Sequence, residues 1–239
     1  MTKQWIIPDI HGYFKTLKTL IEDQIRPEKN DTIFFLGDYI DRGPDSKGVI
    51  DYIMSLQEGG FSIRTLRGNH EDYLVRTYYN EKVQRNFLGI TYRDNLKKEW
   101  FKYGGRETLK SFGVSDVHNI PEKYIVWMNS LEFYIVLDGY LLVHAGFNFN
   151  IDDPFTDKAS MLWAKDFKVD MKKTGNRKVI HGHVPVSLDF INLMATKNKF
   201  NFIDLDNGVY MPEKTGFGNL VALELNSLEL KVQHNVDAR

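Results

Sequence analysis

The 239-residue chain has no cysteine. That excludes a disulfide framework, a thiolate metal site and a cysteine nucleophile. It also lacks a charge excess. Thirty-one Lys and Arg stand against 32 Asp and Glu, a net charge of −1, so no overall basic field draws the chain to nucleic acid or to anionic lipid. Long apolar runs are missing too. Trp5-Ile6-Ile7 stops at Pro8, too short for a signal-peptide core, and Asp138-Gly139 interrupts the longest apolar stretch. With a mean hydropathy of −0.38, these absences predict a cytoplasmic protein with neither nucleic acid nor membrane as partner. The length suits one domain over 1–239, with room for an inserted segment.

What is present is one event repeated along the chain. Trp5-Ile6-Ile7 ends at Pro8-Asp9-Ile10-His11-Gly12, Ile33–Leu36 at Gly37-Asp38-Tyr39-Ile40-Asp41-Arg42-Gly43, and Ile63–Leu66 at Arg67-Gly68-Asn69-His70-Glu71. Farther on, Tyr140–Val143 ends at His144-Ala145-Gly146, and Lys178-Val179-Ile180 at His181-Gly182-His183. Short apolar runs bounded by turn residues and alternating with helical patterns predict βαβ units and a parallel sheet. Loops at the carboxyl ends of such strands line a common crevice. The acid- and imidazole-bearing turns are therefore expected to face one another.

Between these turns, Phe14, Leu17, Leu20 and Ile21 recur at helical spacing, and Ser46 begins a second helix that Gly59-Gly60 ends. A third helix is expected from near Glu71. Residues of about 80–130 break the rhythm and predict a mostly helical insertion over or beside the crevice, with helices from Arg106 to Phe112 and after Pro121. Asp138-Gly139 predicts a hairpin. Residues 147–160 read as a loop, and the tail reads as β at 200–205, 219–225 and 228–234.

Asp9, His11, Asp38, Asn69, His144 and His183 are the candidate metal ligands. All offer oxygen or nitrogen at or just past a strand end, and one divalent ion needs four to six donors. Six side chains serve two ions if one carboxylate is shared, and Asp38 is the best bridge. Two ions about 3.5–4 Å apart can clamp the attacking and leaving oxygens of a displacement at phosphorus, and they bring a shared water toward a pKa of about 7. Nitrogen and oxygen donors suit manganese, iron and zinc alike, availability often decides, and manganese is the expected metal. His70 follows Asn69 and can protonate a leaving group, with Asp41 placed to orient it. Arg42 and Arg67 are guanidinium forks suited to phosphate oxygens.

The run Asp9-Ile10-His11-Gly12, Gly37-Asp38-Tyr39-Ile40-Asp41-Arg42-Gly43, Gly68-Asn69-His70-Glu71, His144-Ala145-Gly146 and Gly182-His183-Val184-Pro185 resembles the calcineurin-like metallophosphoesterases. It is most similar to their phosphoprotein-phosphatase branch, and the Asp206-Asn207-Gly208 region extends the likeness. The resemblance implies an α/β fold, a two-sheet β-sandwich flanked by helices. It implies one metal on Asp9, His11 and Asp38, a second on Asp38, Asn69, His144 and His183, His70 as general acid, Asp41 as its partner and Arg42 on substrate phosphate. The expected reaction is hydrolysis of a phosphomonoester, first of all phosphoserine or phosphothreonine in protein, by a metal-bridging hydroxide. The alternative substrate is a dinucleoside polyphosphate, and a non-catalytic phosphate-binding module comes last. The chain departs from the branch at Pro8, where glycine is usual, and at Lys165, which stands after Trp163 where a second phosphate-binding arginine is common. Lysine supplies charge there without a bidentate fork.

Several residues also have plainer readings. His181 is expected to face away from His183 on an extended chain as a structural residue. His118 and His234 are expected at the surface, and Arg67 serves equally in an ion pair. Trp100, Phe101 and Tyr103 read as the insertion's own core before a base-stacking platform. Glu71 reads as an acid favourable in a first helical turn.

Overall fold

Alternation along the strands divides the core in two. The chain is seen in a computed structural model that describes residues 2–82, 86–87, 90–91 and 96–237. In β1 (Gln4–Ile7), Trp5 and Ile7 join one apolar cluster and Ile6 another, the two-residue period of extended chain. In β2 (Thr32–Phe35), Ile33 and Phe35 follow Trp5, while Phe34 and the next residue, Leu36, follow Ile6. β3 (Ser62–Thr65) pairs parallel with β2, as β2 does with β1. The segments β4 (Asn86–Phe87) and β5 (Ile90–Thr91) form a separate antiparallel pair. β6 (Tyr134–Val136) runs antiparallel to β7 (Tyr140–Val143), which pairs parallel with β8 (Lys178–His181), and β8 with β9 (Phe202–Asp204). β10 (Asn219–Glu224) returns antiparallel to β1, and β11 (Leu230–His234) antiparallel to β10. The two main sheets thus have the orders β11-β10-β1-β2-β3 and β6-β7-β8-β9.

Apolar residues of both sheets meet face to face. Ile6, Phe34, Val221 and Leu223 of the first pack with Ile135, Leu142, Ile180 and Ile203 of the second, the interior of a sandwich. The outer face of the first sheet is covered by helices: α1 (Phe14–Thr19), continued by a wider π turn over Leu20–Ile25, then α2 (Ser46–Glu58) and α3 (Asn69–Lys82). α4 (Leu96–Lys102), α5 (Gly105–Ser111) and α6 (Glu122–Asn129) add Trp100, Leu109 and Ile125 to that same cluster. α7 (Lys158–Trp163) sets Met161 on the outer face of the second sheet beside Leu141 and Val179. The two-sheet sandwich flanked by helices agrees with expectation; within 80–130 the described residues carry α4, α5 and α6 together with the short β4–β5 pair. Residues 83–85, 88–89 and 92–95 of that segment lie outside the described residues. Among the described residues no helix is long and apolar enough to cross a membrane.

Two expectations give way. The loop read over 147–160 closes earlier, because Asp157 caps α7 by accepting from the Ser160 amide. Ahead of the β tail, a stretch to which the sequence reading assigns no element forms α8 (Leu188–Thr196), capped by Ser187 on the Phe190 amide. Its Ile191, Met194 and Ala195 sit one turn apart and complete the inter-sheet core. His118, expected at the surface, is half-buried and bonds Asp116 at 2.9 Å and the Tyr78 carbonyl at 3.2 Å.

Candidate metal centre

The turns that follow β1, β2, β3, β7 and β8 bring their residues together at one site. Asp38 stands at the middle, and its two carboxylate oxygens face different partners. Oδ2 lies 3.7 Å from His11 Nε2 and 3.7 Å from His70 Nε2, while Oδ1 lies 3.5 Å from His144 Nε2. Two donor groups result: His11, Asp38 and His70, and Asp38, His144 and His183, each with its ligand atoms within 4.8 Å of one another. Asp38 belongs to both, as the bridging role requires.

The tautomers are set from behind. His11 Nδ1 donates to the Ile40 carbonyl at 3.1 Å and His144 Nδ1 to the Leu36 carbonyl at 3.1 Å. A proton committed to the backbone leaves Nε2 as a lone pair turned inward. Asn69 Oδ1 then meets His144 Nε2 at 2.9 Å and His183 Nδ1 at 3.0 Å. With Nδ1 committed, the His144 Nε2 lone pair faces the Asn69 oxygen, a contact that a cation between them relieves, and among the described residues His183 Nε2 is buried with no hydrogen-bond partner. This donor set fits a divalent metal pair. Burial keeps the imidazoles neutral and ready to ligate: it pulls His11 and His144 down, and His183 down to about 3. Burial alone pushes the Asp38 carboxyl up, but as the surrounding imidazoles take up protons at low pH their charge, that of His144 first, outweighs it and holds Asp38 well below the usual carboxylate range.

Asp9 lies beside the first group without joining it by distance. Both its oxygens accept from the His183 amide at 3.1 Å, and burial together with the charges of Asp206 and Asp38 pushes its carboxyl far up. Two glycines make the room. A Cβ on Gly68 would stand 2.1 Å from Asp38 Oδ1, and one on Gly182 2.3 Å from Asp9 Oδ1. The backbone is also bent for aim. Of the eight non-glycine residues at positive φ among the described residues, five are His11, Asp38, Asp41, Arg42 and His183, a conformation that costs roughly 1–3 kcal/mol per residue.

His70 Nδ1 donates to Asp41 Oδ2 at 2.7 Å. Burial pulls His70 down, but Asp38 and the bond to Asp41 overcome it and the net shift is upward. Asp41 is fully buried and takes two further donors from the 80–130 segment: Trp100 Nε1 at 2.9 Å and Thr108 Oγ1 at 2.5 Å. Trp100 is core, as expected, yet its polar tip works at the site. Glu71 does more than favour a first turn. Its carboxylate collects the amides of Asp38, Tyr39 and Gly68 at 2.8–3.0 Å and so staples two strand-end loops together.

Arg42 stacks over the Tyr210 ring at 4.1 Å, and its Nε is buried without a hydrogen-bond partner among the described residues. Arg67 is held elsewhere: its Nη2 donates to Asn129 at 3.2 Å and its Nε lies 3.6 Å from Asp72. Lys165 is exposed, near enough for its charge to bear on His183. His181 stays out of both donor groups, packs edge-on to Phe167 and bonds the Gly182 carbonyl. Sequence reasoning missed Tyr210, Thr108 and Asp206 as site residues. Asp206 carried a usable signal, since it opens an Asp-Asn-Gly turn just past a strand. It is 1% exposed, its Oδ2 has no hydrogen-bond partner among the described residues, and burial pushes it up to about 7.

Among curated proteins, the symmetrical bis(5'-nucleosyl)-tetraphosphatase of Buchnera aphidicola subsp. Schizaphis graminum is 34% identical over 97 residues, 39% of this chain and 34% of that protein. The Pectobacterium atrosepticum protein of the same name is 35% identical over 74 residues, 31% of this chain and 25% of its own. The matched stretches thus span a quarter to a third of these relatives. Among solved structures, a protein serine/threonine phosphatase from Saccharomyces cerevisiae superposes with a TM-score of 0.65 at 17% identity, over 98% of this chain and 80% of its own. A metallophosphoesterase from Sphaerobacter thermophilus gives 0.54 at 15% identity, over 98% and 88%. These two likenesses speak to the fold. The model for calcineurin-like phosphoesterases matches residues 2–209, a span that holds all six candidate ligands together with His70 and Asp41; this chain belongs to that family.

Proposed function

We propose that the protein is a metal-dependent phosphohydrolase acting on dinucleoside polyphosphates, with a pair of divalent cations, manganese first, on Asp9, His11, Asp38, Asn69, His144 and His183. The observation that carries the hydrolytic reading is the pair of donor groups sharing Asp38, with the His70–Asp41 pair alongside. The named activity of the relatives supports a dinucleoside tetraphosphate better than the phosphoprotein that stood first in the sequence reading. An intact acid–orienter pair argues against a non-catalytic phosphate-binding module.

Two bound cations would supply Lewis-acid charge at the phosphate oxygens and a water that ionises near neutral pH. The chain's own residues do the rest. Arg42, braced on Tyr210, presents its free Nε to a phosphate oxygen. Water adds at phosphorus, the bond to the leaving oxygen breaks, and His70 gives that oxygen the proton it needs. Asp41 steadies the imidazole and its charge. Lys165 adds positive charge at the rim.

The test is the metal-stripped protein with manganese, iron or zinc added back, assayed on diadenosine tetraphosphate and on a phosphoserine peptide. Metal-dependent turnover favouring the dinucleotide, with labelled water oxygen in the terminal phosphoryl group of one nucleotide product, is expected. Preference for the phosphopeptide would restore the other substrate class, and a trapped phosphoenzyme would refute direct attack by water.

A further inference from the structure

We propose that Tyr73, Tyr103 and Trp163 form an aromatic subsite that holds the nucleobase of the leaving nucleotide, a placement that rests on the phosphohydrolase reading above. Three rings from three separate elements meet beside the metal centre. Tyr73 of α3 stacks on Tyr103 with centroids 5.6 Å apart and planes 22° apart, and Trp163 of α7 stands edge-on to Tyr73 at 5.1 Å and tilted to Tyr103 at 6.3 Å. The group touches the chemistry at both ends. Tyr103 lies 6.1 Å from the His70 ring and Trp163 lies 6.0 Å from the His183 ring.

Tyr73 packs against the core on one side, yet none of the three rings is fully buried. Tyr103 is 38% exposed and Tyr73 and Trp163 are half-buried, whereas Trp100, three residues earlier, is 0% exposed. The backbone is built to bring Tyr103 there. Gly104 sits at φ +104 with the Arg42 amide 2.5 Å from where a Cβ would be, so only glycine lets this turn press against the phosphate-binding arginine. Gly105 leaves room for the Trp100 indole in the same way. The turn thereby fixes a tyrosine face beside the proton donor.

The position selects the occupant. A group that departs from phosphorus leaves toward the acid that protonates it, so a ring wall bordering His70 borders the leaving group. An aliphatic or phosphoseryl leaving group gains little from three aromatic rings. A purine gains stacking on a π face, and stacking tolerates any base. Lys165, two residues past Trp163, and Arg42, against Gly104, flank the wall with the positive charge that a nucleoside diphosphate carries anions for.

The experiment measures binding apart from turnover: the dissociation constants of ADP and of methyl diphosphate for the manganese-loaded protein, followed by calorimetry. The parent should hold ADP about 5- to 150-fold more tightly, the worth of one stacked base. Tyr103→Leu and Trp163→Leu should shrink that ratio toward one, while Tyr103→Phe, which keeps the ring, should retain it. Because the comparison is a ratio within each folded variant, a general loss of stability does not imitate it. A parent that binds both ligands equally, or variants that keep the full ratio, would overturn the subsite. A base preference without turnover of diadenosine tetraphosphate would uphold the subsite and refute the proposed substrate. Turnover without base preference would do the reverse.

Discussion

Replacing Trp100 by phenylalanine tests how the 80–130 segment serves catalysis. The indole N–H reaches Asp41 Oδ2 at 2.9 Å and Oδ1 at 3.1 Å in a fully buried setting. Burial pushes the Asp41 carboxyl up, and the donors from His70, Thr108 and Trp100 work against it. A hydrogen bond to a charged, buried acceptor is worth roughly 1.5–3 kcal/mol. Were the whole of it lost in the transition state, kcat would fall about 10- to 150-fold at 1.36 kcal/mol per decade. Phenylalanine keeps an apolar ring against Phe101 and Gly105, so the fold should survive, and thermal unfolding checks that it does. The assay is steady-state turnover of the single variants and of the double variant with His70→Asn. If Trp100 acts through Asp41 on His70, its effect should nearly vanish once His70 is gone. Equal losses in both backgrounds would refute the argument, as would a change in KM alone. Thr108→Val should behave like Trp100→Phe, and Thr108→Ser should stay near the parent because it keeps the hydroxyl that Asp41 accepts from.

The remaining predictions concern the acid, the cage and the buried imidazole. His70→Asn should cost most on poor leaving groups such as alkyl phosphates and least on nitrophenyl phosphate; a loss independent of leaving group would remove the general acid. Manganese at 100 times its dissociation constant should stabilise the parent by about 2.7 kcal/mol, and Gly68→Ala, whose Cβ would crowd Asp38 Oδ1, should lose most of that gain in a melting experiment. An unchanged metal response would show that Asp38 is not seated as described. Burial pulls His181 down to about 4 from an ordinary 6.5, so the folded state binds its proton less readily than the unfolded chain. Its contribution is whole above pH 6.5 and shrinks as pH falls toward 4, by on the order of 3 kcal/mol. The melting temperature of the metal-free parent should therefore fall more steeply over that window than that of His181→Gln. Parallel curves would contradict the assignment.

Much of the centre was legible because its signal is local. A short apolar run that stops at a turn bearing glycine with Asp, Asn or His marks both a strand end and a candidate site residue, so Asp9, Asp38, Asn69, His144 and His183 stand out in sequence. Partnerships across the chain left no such mark. Nothing near Trp100 or Thr108 names Asp41, 59 and 67 residues away. The stacking of Tyr73 on Tyr103 depends on how α3 meets α4, and the sequence reading had grouped Tyr103 with Trp100 instead. α8 went unread because Phe190, Ile191, Leu193 and Met194 form an almost continuous apolar run, which periodicity alone does not separate from a buried strand. Arg67 looked equal to Arg42 by composition, and only Asn129 and Asp72 distinguish them.

The cluster of left-handed residues sets a course for anyone who selects this protein for heat tolerance. His11, Asp38, Asp41, Arg42 and His183 all hold a backbone shape that glycine adopts freely. A library screened on survival alone should drift toward glycine at those five positions and gather resistant, inert variants. Screens must therefore score turnover alongside endurance, or thermostability will be won by dismantling the catalyst.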